Sequence, residues 1–188
     1  MFVTGPEVVK TVTNEVVSAE ELGGAITHTT KSSVADCAYE NDMVAIAETR
    51  RFMDFLPANN KSKSPIFPFH DDINRVEISL DTLIPDNPNT PYDMKALILK
   101  LGDDGDFFEI QENFAKNILT GFIRLEGRTI GVVANQPLVL AGCLDIDSSK
   151  KAARFVRFCD AFEVPILTLV DVPGFLPGTG QEHNGVIK

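Results

Sequence analysis

Apolar and polar positions follow three different rhythms along the chain, and the changes of rhythm mark its organisation. Over residues 1–56 the spacing is mostly helical. Val8, Val9 and Val12 share a face behind Pro6, and proline suits the first helical position because the N–H it lacks there would have no partner anyway. Ser18, followed three residues later by Glu21, has the form of a capping box, and Gly23 and Gly24 end the short helix it opens. Ala25 to Thr30 reads as a strand. Asn41 or Asp42 then caps a longer helix with an inward stripe of Val44, Ala47, Phe52 and Phe55, closed by Pro57.

Periodicity is lost between Pro57 and Pro91. Six of the 11 prolines fall here among Asn, Asp, Ser and Lys. Each removes a backbone donor and constrains the residue before it, so the stretch is expected to be an extended connector between two bodies. Beyond it the pattern is that of an α/β unit. Asp93 caps a short helix carrying Leu97, Ile98 and Leu101. Leu119 to Leu125 and Thr129 to Ala134 are apolar strands around a Glu126-Gly127-Arg128 turn, which predicts a hairpin. Ser148 to Phe162 reads as a helix with Ala152, Phe155, Val156, Cys159 and Phe162 on its buried face. After Pro165, Ile166 to Val170 is a short apolar strand. The order strand, helix, strand predicts a partly parallel, buried sheet.

Composition narrows the function classes. A chain of 188 residues with 44% hydrophobic content can build a core, and a net charge of -10 argues against a nucleic-acid binder. No apolar run has the length of a membrane span, and the first residues lack the basic flank and apolar stretch of a secretory signal. Cys37, Cys143 and Cys159 are odd in number and widely spaced, which suits free thiols in a reducing compartment. His28, His70 and His183 are isolated, so no metal site is expected. Asp71-Asp72 and Asp103-Asp104 read as solvated charge or helix-terminus partners. Lys150, Lys151, Arg154 and Arg157 cluster on one helix, with Lys150, Arg154 and Arg157 on one face. That face is either simply solvated or attracts an acidic partner or ligand phosphates.

The stretch with most chemical promise is Asp171-Val-Pro-Gly-Phe-Leu-Pro-Gly-Thr-Gly180, directly after the last strand. Ligands of open α/β folds bind beyond the carboxyl ends of parallel strands. Glycines there permit close backbone approach, prolines stiffen the path, and fixed peptide dipoles can meet developing negative charge. A tight surface turn has the same spacing. Neither a Walker phosphate loop nor a dinucleotide fingerprint is present.

Several stretches, in collinear order, resemble the carboxyltransferase (beta) subunits of biotin-dependent acyl-CoA carboxylases, the propionyl-CoA carboxylase type most closely. They are Met1 to Pro6, Ala19 to Ala25, Pro91 to Met94, Asn135 to Pro137, Ala141 to Asp145, Ser148 to Asp160 and Val170 to Gly178. The resemblance implies an α/β, crotonase-like fold of stacked ββα units. Residues 1–56 would be the end of a first carboxyltransferase domain, 57–91 a proline-rich interdomain connector, and 92–188 the start of a second. On that basis the chain is expected to be an internal fragment, inactive alone.

The implied activity is transfer of a carboxyl group from carboxybiotin to an acyl-CoA, propionyl-CoA giving methylmalonyl-CoA, through a thioester enolate held by backbone N–H groups. No catalytic side chain is expected, because the enolate-binding donors of the family would lie outside the chain. Gly23-Gly24-Ala25 has the composition of such a donor segment but matches a later, structural part of the first domain. Val172, Pro173, Gly174 and Phe175 are expected to face the biotin ring, mainly through the Phe175 backbone. Implied partners are a biotin carboxylase and biotin-carrier (alpha) subunit, acyl-CoA and further copies of the chain, typically in a hexamer. The implied compartment is the cytoplasm of a bacterium or the mitochondrial matrix of a eukaryote. Three alternatives remain: a biotin-dependent acyl-CoA decarboxylase or transcarboxylase subunit, a crotonase-type hydratase or isomerase, and a non-catalytic fold remnant.

Overall fold

The computed structural model describes residues 1–187. The organising element is a hairpin of β2 (Ile118–Leu125) and β3 (Arg128–Asn135), paired antiparallel from Ile118↔Asn135 to Leu125↔Arg128. Glu126 and Gly127, both with positive φ, make its two-residue turn. That conformation matches the twist of the strands it joins. A short β1 (Phe108–Ile110) pairs antiparallel with β2, and β4 (Ile166–Leu169) pairs parallel with β3, giving the order β1-β2-β3-β4.

The crossover from β3 to β4 is α6 (Ile146–Ala161), opened by a capping box between Asp145 and Ser148. Burial of Asp145 raises the pKa of its carboxyl, but hydrogen bonds from Ser148 and Asn117 outweigh this and hold it below the usual carboxylate range.

β2 is buried on both faces, so its apolar run has no polar alternation. On one face Leu119 and Ile123 pack with Val132, Ala134 and Phe107 against Met94 and Ile98 of α5 (Met94–Leu101). On the other, Phe122 meets Phe155 and Cys159 of α6, with Phe55, Phe108 and Val164 completing the cluster. The Phe122 and Phe155 ring centroids are 5.1 Å apart. Gly131 sits where α6 comes closest: a Cβ there would lie 2.7 Å from Cys159 Sγ.

The N-terminal part is helical: α1 (Pro6–Thr13), α2 (Ala19–Gly23), α3 (Ala25–Thr30) and α4 (Asp42–Met53). The Ser18–Glu21 capping box and the Asn41 cap form as expected. The strand expected at Ala25 to Thr30 is instead α3. Its threonines satisfy their hydroxyls within helical geometry: Thr29 donates to the Ala25 carbonyl at 2.9 Å and Thr27 to the Glu20 and Glu21 carbonyls of α2, 3.1 Å each. Among the described residues no strand pairs with this segment to reward the β-branched side chains, so their strand preference is overridden.

The α4 stripe is also only half right. Val44 and Ala47 are exposed, Phe52 is half-buried, and the buried Phe55 lies past the helix end. The valine face of α1 is likewise not covered, with Val8 and Val12 both exposed. Residues 57–91 contain one short 3-10 turn, Ile78–Thr82, and otherwise neither helix nor strand. They run along the β2–β3 turn and the end of α5. The Phe67 N–H donates to the Gly127 carbonyl at 3.0 Å, and Arg75 donates to the Leu101 and Gly102 carbonyls.

On α6 the buried positions are Ser148, Lys151, Phe155 and Cys159, while Val156 is exposed. The expected face is therefore displaced by about one residue, and Lys151 leaves the solvated cation cluster for the interior. Its ammonium is caged by the carbonyls of Gln111, Phe114 and Ile118 at 2.9, 2.8 and 2.8 Å.

Candidate functional site

β4 delivers the chain to the carboxyl end of the parallel pair at Leu169, and the Asp171–Gly178 loop follows. Two anchors hold it. Asn135, the last residue of β3, is 2% exposed and bonds the main chain of Asp171 at both ends: its Oδ1 accepts from the Asp171 N–H at 2.7 Å, and its Nδ2 donates to the Asp171 carbonyl. The side-chain amide thus takes over where the ladder between β3 and β4 stops. Tyr92 donates its hydroxyl to the Asp171 carboxylate at 2.9 Å. Burial, then the Asp171 bond and charge, push the Tyr92 pKa up to about 12, so the phenol keeps its proton for that bond.

The second anchor lies four residues on. Leu144 forms a parallel bridge to Phe175, its N–H donating to the Gly174 carbonyl at 3.0 Å and its carbonyl accepting from the Leu176 N–H at 2.8 Å. Leu144 is itself braced from behind: Asn117 Nδ2 donates to the neighbouring Cys143 carbonyl at 2.9 Å and to Asp145 Oδ1 at 3.2 Å. In a parallel bridge the bonds fall on the residues flanking the partner. The N–H and carbonyl of Phe175 are therefore left over and directed away from Leu144, and among the described residues neither has a backbone partner.

Between the anchors Val172 is half-buried, Pro173 is exposed, and Gly174 adopts φ +152°. A Cβ on Gly174 would meet no atom within 4 Å, so the space over this backbone is open. The four residues singled out from sequence thus form one rigidly ended, outward-facing arc. Beside it lies a cavity of about 720 Å³, walled by Pro88, Tyr92, Pro137, Asp171, Val172 and Pro173.

Other candidates resolve into structural roles. Asp103 accepts from the Glu126 and Gly127 N–H groups and so holds the hairpin turn; Asp71 accepts from the Asp104 N–H at 2.8 Å, and the Asp104 carboxylate accepts from the His70 N–H at 3.1 Å. Among the described residues no three His, Cys, Asp or Glu side chains group as a metal site. Arg154 is engaged by Asp36 and the Ser33 carbonyl, both at 3.1 Å. Lys150, Arg154 and Arg157 rim a second cavity of about 670 Å³ floored by Phe52, Phe122, Phe155 and Phe158. Its lining shares no residue with the Asp171–Gly178 loop. We place the site at the loop, where unpartnered backbone groups and open space coincide.

Sequence reasoning reached the arc but missed what holds it: Tyr92, Asn135 and Leu144. The available signal was the polar pair Asn135-Gln136 closing an apolar strand, since polar side chains buried at a strand end need specific partners. Gln136 is buried too, bonding Asp93 Oδ1 at 2.7 Å and the Met94 N–H at 3.1 Å.

Known proteins share this architecture. The propionyl-CoA carboxylase beta chain of Roseobacter denitrificans is 79% identical over 188 residues, covering 100% of this chain and 37% of that one. The methylmalonyl-CoA decarboxylase subunit alpha of Propionigenium modestum is 53% identical, covering 100% and 36%. A solved structure of the transcarboxylase 12S hexamer core with hydrolyzed methylmalonyl-coenzyme A bound superposes with a TM-score of 0.96 at 44% identity, again over 100% of this chain and 37% of that one. The chain therefore spans a little over a third of the length of the curated relatives it matches. The expected α/β, crotonase-like fold of the carboxyltransferases is the fold observed. With residues 1–188 all matching the family described as Carboxyl transferase domain, the chain belongs to the carboxyl transferase domain family.

Proposed function

We propose that this chain supplies the biotin-facing part of a carboxyltransferase that moves a carboxyl group between biotin and a short acyl-CoA, propionyl-CoA being the acceptor. The observation that carries the proposal is the free N–H and carbonyl of Phe175, held outward by the Leu144 bridge beside the side-chain-free Gly174. A ureido ring has both N–H donors and a carbonyl acceptor, so it is complementary to that pair. When bound, biotin supplies the nitrogen that carries the carboxyl group. This chain's residues orient it: Pro173 fixes the backbone torsion before Gly174, Gly174 leaves the approach open, and Phe175 offers one donor and one acceptor with little reorganisation. The half-exposed Phe175 side chain and Val172 give the ring apolar flanks.

The same reading makes residues 1–56 the close of a first carboxyltransferase domain, 57–91 the connector, and 92–188 the opening of a second. Its partners are a biotin-carrying subunit with its biotin carboxylase, and copies of the chain in a hexamer such as the transcarboxylase 12S core forms. The compartment is the cytoplasm of a bacterium or a mitochondrial matrix. The likeness to the methylmalonyl-CoA decarboxylase subunit supports a second reading, in which the same transfer step runs towards acyl-CoA decarboxylation. The loop serves both directions equally.

The test is Gly174→Val in the whole protein, assayed by carboxyl transfer from methylmalonyl-CoA to free biotin. The added side chain fills the open approach and strains the Gly174 backbone at φ +152°, both within the biotin-facing arc, so KM for biotin rises at least tenfold while the Kd of propionyl-CoA stays within twofold, on the order of what a lost close contact costs. Equal loss of both, or no loss, refutes the assignment.

A further inference from the structure

The arc from Val172 to Phe175 is attached to the sheet by side chains rather than by ladder hydrogen bonds, and this makes its attachment adjustable by single residues. β3 and β4 stop pairing at Ala134↔Leu169. From there, among the described residues, the main chain of Asp171 is held only by the Asn135 amide, while its carboxylate is held by the Tyr92 hydroxyl. The two holds differ in kind. Asn135 is buried within the fold, and its loss disturbs the end of β3. Tyr92 packs its ring on the core cluster around Met94 and Ile98 and projects only its hydroxyl to the exposed Asp171. Phenylalanine keeps the packing and removes the bond alone.

We infer that Tyr92, Asp171 and Asn135 form a clamp that sets the position of the Val172–Phe175 backbone, making them positioning residues for carboxyl transfer at the biotin side; the inference rests on the proposed function. The clamp fixes the entry of the arc and the Leu144 bridge fixes its exit. Phe175 lies only four residues from Asp171, so a displacement at the entry must be absorbed by Val172, Pro173 and Gly174. Pro173 cannot rotate its φ, which leaves Val172 and Gly174 to take up the change. The outward N–H and carbonyl of Phe175 then lose their alignment, and misplacement of a positioning group on the ångström scale is costly in transfer chemistry. Tyr92 also begins the segment leading into α5, whose cap Asp93 is tied to Gln136, next to Asn135. The end of the 57–91 stretch, the start of α5 and the entry of the arc are thus joined through Asn135 and Gln136.

The test uses the whole protein and the same transfer from methylmalonyl-CoA to free biotin. Tyr92→Phe raises KM for biotin about five- to tenfold, the worth of one ordinary net hydrogen bond, with propionyl-CoA Kd unchanged and the melting temperature lowered by at most about 2–4 °C. Asp171→Asn, which still accepts from Tyr92, stays within about twofold of the parent, whereas Asp171→Ala matches Tyr92→Phe. The double variant Tyr92→Phe/Asp171→Ala is no worse than either alone, because both remove one bond. An unchanged KM for biotin in Tyr92→Phe, or additive losses in the double variant, overturns the clamp. If Gly174→Val impairs biotin use while Tyr92→Phe does not, only the clamp fails. If neither variant affects biotin, the proposed function fails with it.

Discussion

Lys151→Met isolates what a single buried ammonium does for this fold. The side chain is 2% exposed, and its three N–H groups meet three carbonyls, those of Gln111, Phe114 and Ile118, at 2.8 to 2.9 Å. Among the described residues no carboxylate forms an ion pair with it, so it works as a cationic cap that gathers the segment between β1 and β2 onto α6. Methionine fills nearly the same volume; the Gln111 carbonyl keeps the Phe114 N–H at 3.0 Å, so it is the Phe114 and Ile118 carbonyls that lose their donor, at about 2 kcal/mol each. Against this stands the cost of burying the charge. Burial pushes the Lys151 pKa down from 10.5 to about 8, which corresponds to about 3 kcal/mol against the charged form. The net loss on substitution is then about 1 kcal/mol at pH 7.

Urea unfolding of the chain and its Lys151→Met variant measures this directly, and an unchanged or increased stability in the variant would refute the cage as a source of stability. The pH dependence gives an independent check. The folded pKa of about 8 lies below the unfolded value of 10.5. Between those values the unfolded chain binds a proton that the folded chain has released, so the wild type gains stability on the variant as pH rises through this window, by up to about 3 kcal/mol. A gap that narrows instead would mean that the folded pKa of Lys151 lies above the unfolded value.

Two further outcomes follow from the contact of α6 with the sheet. Gly131→Ala forces a Cβ to 2.7 Å from Cys159 Sγ and costs about 1–3 kcal/mol in thermal unfolding. Adding Cys159→Ala recovers part of that loss, and strictly additive losses would contradict the close approach. Cys159 is fully buried and burial pushes its thiol up to about 11. Alkylation at pH 8 therefore labels it only in denaturant, while the half-buried Cys143 reacts in the folded chain; labelling of Cys159 at the Cys143 rate would show that the α6 interface opens readily.

Local signals carried well where they were chemical and short-ranged. The Ser18–Glu21 capping box, the Asn41 and Asp93 caps and the Glu126-Gly127 turn each depend on backbone groups a few residues away, and each forms. The β2–β3 hairpin and the parallel return through α6 were legible because the strands are mostly apolar and the intervening helix is strongly periodic. Signals that needed a partner carried poorly. Threonines at 27 to 30 favour a strand only where one lies alongside, and Val44 is buried only where something covers it. Lys151 reads as solvent-facing because its donors are satisfied by carbonyls from a loop some 35 residues earlier, which no local pattern encodes. The candidate site divides in the same way. The glycine–proline arc announced itself, whereas Tyr92 and Asn135 act across separations of 79 and 36 residues.

The central claim is that the backbone of Phe175 receives the biotin ring, and a crystal structure of the whole protein with free biotin bound tests it most directly. The account predicts the ureido group within about 3 Å of the Phe175 nitrogen or carbonyl oxygen, over the open side of Gly174. Biotin bound at another surface, with the Val172–Phe175 arc untouched, would contradict it.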